Sequence, residues 1–202
     1  KQKAIKMLSR AFAITSDLGI RQQVATSLEN LGVGIDVEAA KAGFIARWHL
    51  VGPFPWDASK NTLDKVFIDE PSVDTGRSYQ IGDRILKWSR YISDQGMIDL
   101  EKLFDPHENV SAYAYAEVLL PEDQDLLLKI GSDDGFKCWF NGKLVGRFDS
   151  DRAWILDEDV LKVKAKKDTN TILLKISQGG GGWAFSAKLT DMDGNPIRCQ
   201  VK

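Results

Sequence analysis

Gly131-Ser132-Asp133-Asp134-Gly135-Phe136-Lys137-Cys138-Trp139-Phe140-Asn141-Gly142-Lys143 reads as turn, strand and hairpin turn. Two aspartates and a glycine open the strand, and Asn141-Gly142 closes it. Both central residues of a type I′ turn need φ > 0, and Asn-Gly supplies them with little strain. Side chains alternate along a strand. Phe136, Cys138 and Phe140 therefore share one face, and Lys137 and Trp139 take the other. Asp133 and Asp134 stand in the loop before the strand. Carboxylate oxygens in such a place suit a hard cation or a sugar hydroxyl. The same residues also make turns, because an Asp side chain accepts nearby backbone N–H groups and Gly takes φ > 0.

From Val110 onward the pattern is that of a β-protein. Strands are predicted over 111–120, ended by Pro121, and over 125–130, with Leu126, Leu128 and Ile130 on one face. Two more, over 136–141 and 144–148, are joined by the Asn-Gly turn. Others follow over 159–163, over 171–177 with Ile172, Leu174 and Ile176, and over 183–190 with Trp183, Phe185, Ala187 and Leu189. Asp193-Gly194 turns the chain into a last strand over 197–201. Short strands at regular spacing with turns between them specify a β-sandwich or jelly roll. The fold class is mainly β: a jelly-roll β-sandwich preceded by a short α-helical, repeat-like segment.

That helical segment covers residues 1–46 and the sandwich 47–202. Ile5, Leu8 and Phe12 follow helical spacing. A second helix carries Val24, Leu28 and Leu31, with Ser16 or Asp17 as its cap. Gly32 and Gly34 stop it, and Asp36 is placed to cap a third piece over 37–44. Two readings fit. One is the end of a helical-repeat array, which needs neighbours to bury its faces. The other is a helical hairpin packed on the sandwich. At Arg47-Trp48-His49-Leu50-Val51-Gly52-Pro53-Phe54-Pro55-Trp56 a short strand is predicted to run into a Gly-Pro turn, where the prolines exclude helix. Residues 57–109 form a long arm with only short strands, near 85–91 and 97–100. A connection of that length wraps a domain or builds a binding surface.

The totals bound the function. A chain of 202 residues with 43% hydrophobic content supports a sizeable core. A net charge of −2 on 28% charged residues makes no single-sign field, which argues against a nucleic-acid partner. No apolar run approaches the ~18 residues of a membrane span. The opening Lys1-Gln2-Lys3-Ala4 has neither Met nor a signal-peptide pattern and reads as a piece of something longer. With only Cys138 and Cys199, a disulfide scaffold and a Cys-based zinc site are excluded. Two buried thiols in strands are the default reading, and one disulfide is the alternative.

No catalytic motif is present, and the chain is read as non-enzymatic. His49 and His107 are the only histidines and lie far apart, and neither Gly-x-Ser-x-Gly nor His-x-x-x-His occurs. The four glycines at 179–182 lack the Gly-Lys-Ser/Thr of a phosphate-binding loop and read as a sharp turn that admits a close backbone approach.

The run Ser132-Asp133-Asp134-Gly135-Phe136-Lys137-Cys138-Trp139-Phe140-Asn141-Gly142-Lys143-Leu144-Val145 resembles the central hairpin of PA14-type domains and of related galactose-binding-like jelly rolls. Asn170-Thr171-Ile172-Leu173-Leu174-Lys175-Ile176 and Gly181-Gly182-Trp183-Ala184-Phe185-Ser186 resemble the closing strands of such modules. Trp48-His49-Leu50-Val51-Gly52-Pro53-Phe54 resembles their entry strand, as found in planctomycete-type multidomain proteins. The resemblance implies a carbohydrate-binding module of a larger, exported bacterial protein, periplasmic or extracellular, with glycan and the parent's other domains as partners. It implies calcium held by Asp133 and Asp134 and bridging to sugar hydroxyls. The chain departs from the pattern in having no obvious second acidic or Asn-rich loop to finish the shell, for which Asp149, Asp151, Asn170 and Gln178 are the contributors on offer. The alternative is a structural or docking module of a multidomain enzyme.

Among the aromatic residues, Trp183 shares a face with Phe185 and Leu189 and reads as core. Trp139 is either a stacking platform or covered by the arm, with covered preferred. Trp56 and Trp154 lie in loops and are the candidates for a ring offered to a sugar face. Asn141 completes the expected ligand-binding set.

Overall fold

The computed structural model describes residues 1–14, 18–32, 42–56, 63–93, 95–197 and 199–201. Two helices come first, α1 (Gln2–Ile14) and α2 (Leu18–Asn30). The strands are β1 (Arg47–Pro55), β2 (Ser78–Ile81), β3 (Arg84–Lys87), β4 (Ser89–Ile92), β5 (Met97–Asp99), β6 (Val110–Leu120) and β7 (Gln124–Ser132). They continue as β8 (Phe136–Phe140), β9 (Lys143–Phe148), β10 (Asp159–Ala165), β11 (Asp168–Gln178), β12 (Ala184–Thr190) and β13 (Gln200–Val201).

The large sheet runs β4-β1-β6-β11-β8-β9, with β13 added beside β6. The smaller sheet runs β10-β7-β12-β5, and β2-β3 form a separate ribbon. All of these pairings are antiparallel. The molecule is mainly β, as the strand periodicity requires.

The core lies between the two sheets. The large sheet contributes Ala112, Ala114 and Ala116 from β6, Ile172, Leu174 and Ile176 from β11, and Phe136, Cys138 and Phe140 from β8. Leu126, Leu128 and Ile130 of β7 and Phe185, Ala187 and Leu189 of β12 close it from the other side. The small inward residues of β6 leave room for Trp48, whose ring meets Phe185 edge-on with centroids 5.2 Å apart. Trp183 is buried in the same cluster, as its position on the face of Phe185 predicts.

The arm covers the other face of the large sheet. Leu63, Ile68 and Leu86 are buried. Ile68 and Leu86, with Phe67, Tyr79 and Trp88, pack on Val51, Phe54, Tyr113, Tyr115, Trp139 and Leu173. Trp139 is therefore covered. Burial on both faces explains why β6, Val-Ser-Ala-Tyr-Ala-Tyr-Ala-Glu-Val-Leu-Leu, lacks the polar alternation of a one-sided strand.

Three expectations need correction. Strand β1 does not stop at Gly52-Pro53; it continues to Pro55, with a register shift between Val51 and Phe54. The irregularity is where a residue without an N–H is accommodated in a ladder. Cys199 lies just before β13, outside any strand, and both thiols are free: Cys138 is buried and Cys199 partly so. Phe44 belongs to the β body, bridging to Lys188, and Ile45 N–H donates to Ala187 O. The rest of the expected third helical piece, 37–41, lies outside the described residues. Helices α1 and α2 pack together, and Val24 and Leu28 seat on Ala46, Phe44 and Ile92. The second helix thus packs against residues of the sandwich.

Candidate functional site

Strand registers bring several loops to one rim of the sandwich. Pro55 pairs with Val110, Val110 with Gln178, Ile176 with Phe136, and Phe136 with Phe148. In the facing sheet Ser132 pairs with Phe185. The ends of β1, β7, β9 and β11 and the starts of β6, β8 and β12 thus meet. That rim holds Trp56, Asp133, Asp134, the segment from Asp149 to Trp154, and the glycine turn at 179–182.

Asp134 organises the rim. It is buried, with φ 56°, a conformation that Asp tolerates better than most residues. Its N–H donates to Arg152 O at 2.8 Å, and its carboxylate accepts the N–H groups of Arg152 at 3.1 Å and Gly179 at 2.8 Å. Ser132 Oγ donates to its carbonyl at 2.9 Å. One side chain thereby ties the loop after β7 to the loops after β9 and β11. Replacing it with alanine leaves two N–H groups without their acceptor. The expected loss is about 1–3 kcal/mol, read as a lower urea midpoint, with Asp134→Asn recovering only part of it, because the two N–H groups bind different oxygens and the amide turns one of them into a donor.

Asp133 is differently placed. It is half-buried; its N–H donates to Ala184 O at 2.8 Å, and its carboxylate accepts the Trp154 N–H at 3.3 Å. Burial, followed by the charges of Asp134 and Glu101, raises its pKa, against the Trp154 N–H that lowers it. This carboxylate is thus desolvated among like charges, and hydroxyl donors or a cation would relieve it.

The glycine turn lies beside it. A Cβ on Gly182 would stand 3.1 Å from Asp133 Oδ2, whereas around Gly180 and Gly181 there is open space. Gln178 holds the turn from beneath, donating to the carbonyls of Gly181 at 2.9 Å and Gly182 at 2.5 Å. Its Oε1 is buried without a partner among the described residues.

Arg152, absent from the sequence-based candidates, clamps the same rim. Its guanidinium lies 3.9 Å from the Phe148 ring centroid, donates to Ser132 O and Oγ at 3.2 and 2.7 Å, and pairs with Glu158 and Asp159 at 3.1 and 2.5 Å. No local pattern marks it, because its partners come from β7, β9 and β10.

Trp154 and Trp56 are both half-buried. The Trp154 indole donates to Ser186 Oγ at 3.2 Å, which fixes its ring. The Trp56 backbone N–H donates to Asn109 O at 3.1 Å, and Asn109 in turn donates to Gly179 O. Trp56 stands three strands from Asp134, roughly 14 Å along the sheet.

Asn141 is not part of this rim. It lies at the opposite end of β8, roughly 17 Å away for a five-residue strand. There its side chain donates to Asn170 and accepts the Thr171 N–H, both at 2.9 Å. Asn170 is tied there too, to Lys166. Asp149 accepts from Arg147, in a network that runs on to Asp64 and Lys137.

For calcium the donor set is short. The ion takes ~6–8 oxygens. Asp134 is engaged by two N–H groups, and Gly181 and Gly182 face Gln178. Among the described residues no three His, Cys, Asp or Glu groups converge as a metal cage. These residues do not form a protein-only calcium cage.

No protein-family model matches the sequence, and no curated protein does. Solved structures show distant likeness. A PA14 sugar-binding domain from an RTX adhesin is 13% identical, with 46% of this chain on 50% of that one at a TM-score of 0.37. The PA14 domain of the MpAFP antifreeze protein is 18% identical, with 49% on 56% at 0.38. A β-glucosidase from Kluyveromyces marxianus in complex with glucose is 13% identical, with 81% on 21% at 0.43. The chain thus spans about half of the two PA14 domains and a fifth of the glucosidase. Likeness at this level assigns neither a family nor a ligand.

Proposed function

We propose that this chain is a non-catalytic carbohydrate-binding module that contacts glycan through the rim around Asp133, Asp134, Trp154 and Trp56. Asp133 carries the reading. It is a half-buried carboxylate set among like charges, beside a glycine turn open to solvent. Sugar hydroxyls donating to it form charge-assisted hydrogen bonds, and the half-buried indoles offer apolar faces to the C–H side of a ring. In this reading Asp134 and Arg152 are positioning residues.

Calcium is the finer part of the proposal. Asp133 supplies a carboxylate on the solvent side, and the glycan's own hydroxyls and water complete the shell that the protein leaves open. The module belongs to a larger exported protein, whose other domains flank it.

Retention on polysaccharide affinity gels and glycan arrays tests this, with calcium and with chelator. Asp133→Ala is expected to weaken retention at least about tenfold, or 1.4 kcal/mol. Retention that survives chelation but not Asp133→Ala keeps the rim and removes calcium. Retention equal in wild type and Asp133→Ala sinks the rim assignment. Failure to hold any glycan favours a docking module instead. Leu144, Ile155, Leu156 and Val160, 47–55% exposed, are apolar surface for such a role.

A further inference from the structure

Charge is unevenly spread along the chain. Lys1, Lys3, Lys6 and Arg10 all precede the first acidic residue, Asp17. The whole chain has 27 basic and 29 acidic residues, so everything beyond those four cations is acidic on balance. Three of the four lie in α1. Lys3, Lys6 and Arg10 follow one another by three and four residues, so they form one stripe along the helix, and all three are exposed. Met7 stands beside the stripe, four residues after Lys3 and three before Arg10, and is 66% exposed. On the other side of the helix Ile5, Leu8 and Ala11 pack against Val24, Leu28 and Ala46. The helix is thus held by one apolar side and presents cations and one large apolar side chain outward.

The fold does not account for this stripe. Like charges three and four residues apart on a helix repel. Lys3 lies in the first turn, at the positive end of the helix dipole, where acids are favoured, and that turn holds no acid. Stability is therefore gained only when anions arrive from outside.

We propose that α1 lies on an anionic phospholipid surface, with Lys3, Lys6 and Arg10 on the lipid phosphates and Met7 in the headgroup boundary. Each cation near such a surface adds to the attraction, and an apolar side chain set into the boundary adds burial. A bilayer is favoured over an acidic protein. A protein partner fixes register by complementary patches of both signs, whereas this face is of one sign and convex. Met is flexible and polarisable, which suits a surface without fixed pockets. The acidic remainder of the chain does not cancel the attraction, because exposed charges beyond the ~8 Å screening length at physiological salt contribute little. The contact is reversible, since three cations and one side chain fall far short of a membrane span. It uses no residue of the rim.

The full chain is sedimented, in chelator, with vesicles of phosphatidylglycerol and phosphatidylcholine in equal parts and with vesicles of phosphatidylcholine alone. Binding is expected to the anionic vesicles only, and to vanish in high salt. Lys3→Gln, Lys6→Gln and Arg10→Gln combined are expected to lower the partition coefficient at least about tenfold. Gln is a good helix former, so the helix signal in circular dichroism is expected to stay. Met7→Gln is expected to lower partitioning about threefold or more. The matched control takes the same number of charges from the outer face of β7 and β10, as Lys129→Gln, Lys162→Gln and Lys164→Gln, and is expected to keep binding within about twofold. The proposal is overturned if the anionic vesicles are not bound, if the α1 triple variant binds as wild type does, if Met7→Gln leaves partitioning unchanged, or if the control weakens it equally. Tighter binding of polyglutamate or duplex DNA than of anionic vesicles also overturns it, and assigns the stripe to a soluble polyanion.

Discussion

Lys175→Ala is expected to detach the arm from the sheet, at a cost of about 3 kcal/mol, with proteolytic cutting appearing between 63 and 88 while the sandwich stays folded. Lys175 is fully buried in the middle of the outer face. Its Nζ donates to the carbonyls of Leu63 at 3.0 Å and Lys65 at 2.5 Å. It sits over the rings of Phe67 and Tyr113, at 5.3 and 5.6 Å. Alanine removes a donor from two arm carbonyls and a counter-charge from Glu70. Cutting confined to the chain termini in both proteins would show that Lys175 does not hold the arm.

The same residue gives the stability a pH dependence. Burial lowers the Lys175 pKa from 10.5 to about 8, outweighing Glu70, which raises it. Between those two values the unfolded chain binds a proton that the folded chain lacks, so stability rises with pH. The contribution is complete above the unfolded value and is lost as pH falls to about 8. A neutral amine keeps two N–H donors, so both arm carbonyls stay paired at high pH. The slope approaches ~1.4 kcal/mol per pH unit. Lys175→Met should erase it, and the difference between the two urea midpoint profiles over that window isolates the group. Parallel profiles would contradict the assignment.

The second large effect is expected at Gly131. A Cβ there would stand 2.3 Å from Ile155 O, 2.9 Å from Trp154 Nε1 and 3.0 Å from Ser186 Oγ. The nearest atom is backbone and yields only if the whole segment from Arg152 to Leu156 moves. Gly131→Ala is therefore expected to cost about 3 kcal/mol, combining overpacking with the lost Trp154 hydrogen bonds. It should also abolish any rim-dependent glycan retention, because Trp154 carries the N–H that Asp133 accepts. Gly180→Ala is the matched control, since nothing lies within 4 Å of that Cβ position. Equal melting of the two variants would show that the segment from Arg152 to Leu156 is not seated against Gly131.

Much of the fold was legible because it depends on local alternation. Phe136, Cys138 and Phe140 face the core as their spacing requires, and the strands after Val110 fall where the turn residues allow. The covering of Trp139 followed from a long arm that had to lie on something. The division of labour at the rim was less legible. Asp133 and Asp134 are adjacent in sequence, yet one is tied to two backbone N–H groups from other loops and the other accepts one. The resemblance to PA14-type domains groups both as calcium ligands. Asn141 belongs to the ligand-binding set expected from the sequence, although a strand of five residues carries it to the far end from the rim. Arg152 gave no signal, since its worth lies in Ser132, Phe148 and Asp159, which only folding brings around it.

Alone, the order of residues determined the strands, their inward faces, the Asn-Gly hairpin and the glycine turn, because each depends on the conformational preferences of a few neighbours. Only the tertiary structure decided which loops share a rim, that Lys175 is a buried anchor, and that an arm more than a hundred residues upstream in contact range roofs the sheet. The physical reason is that burial, desolvation and hydrogen-bond pairing belong to positions in space. Period-two patterning states which way a side chain points and is silent on what arrives to meet it.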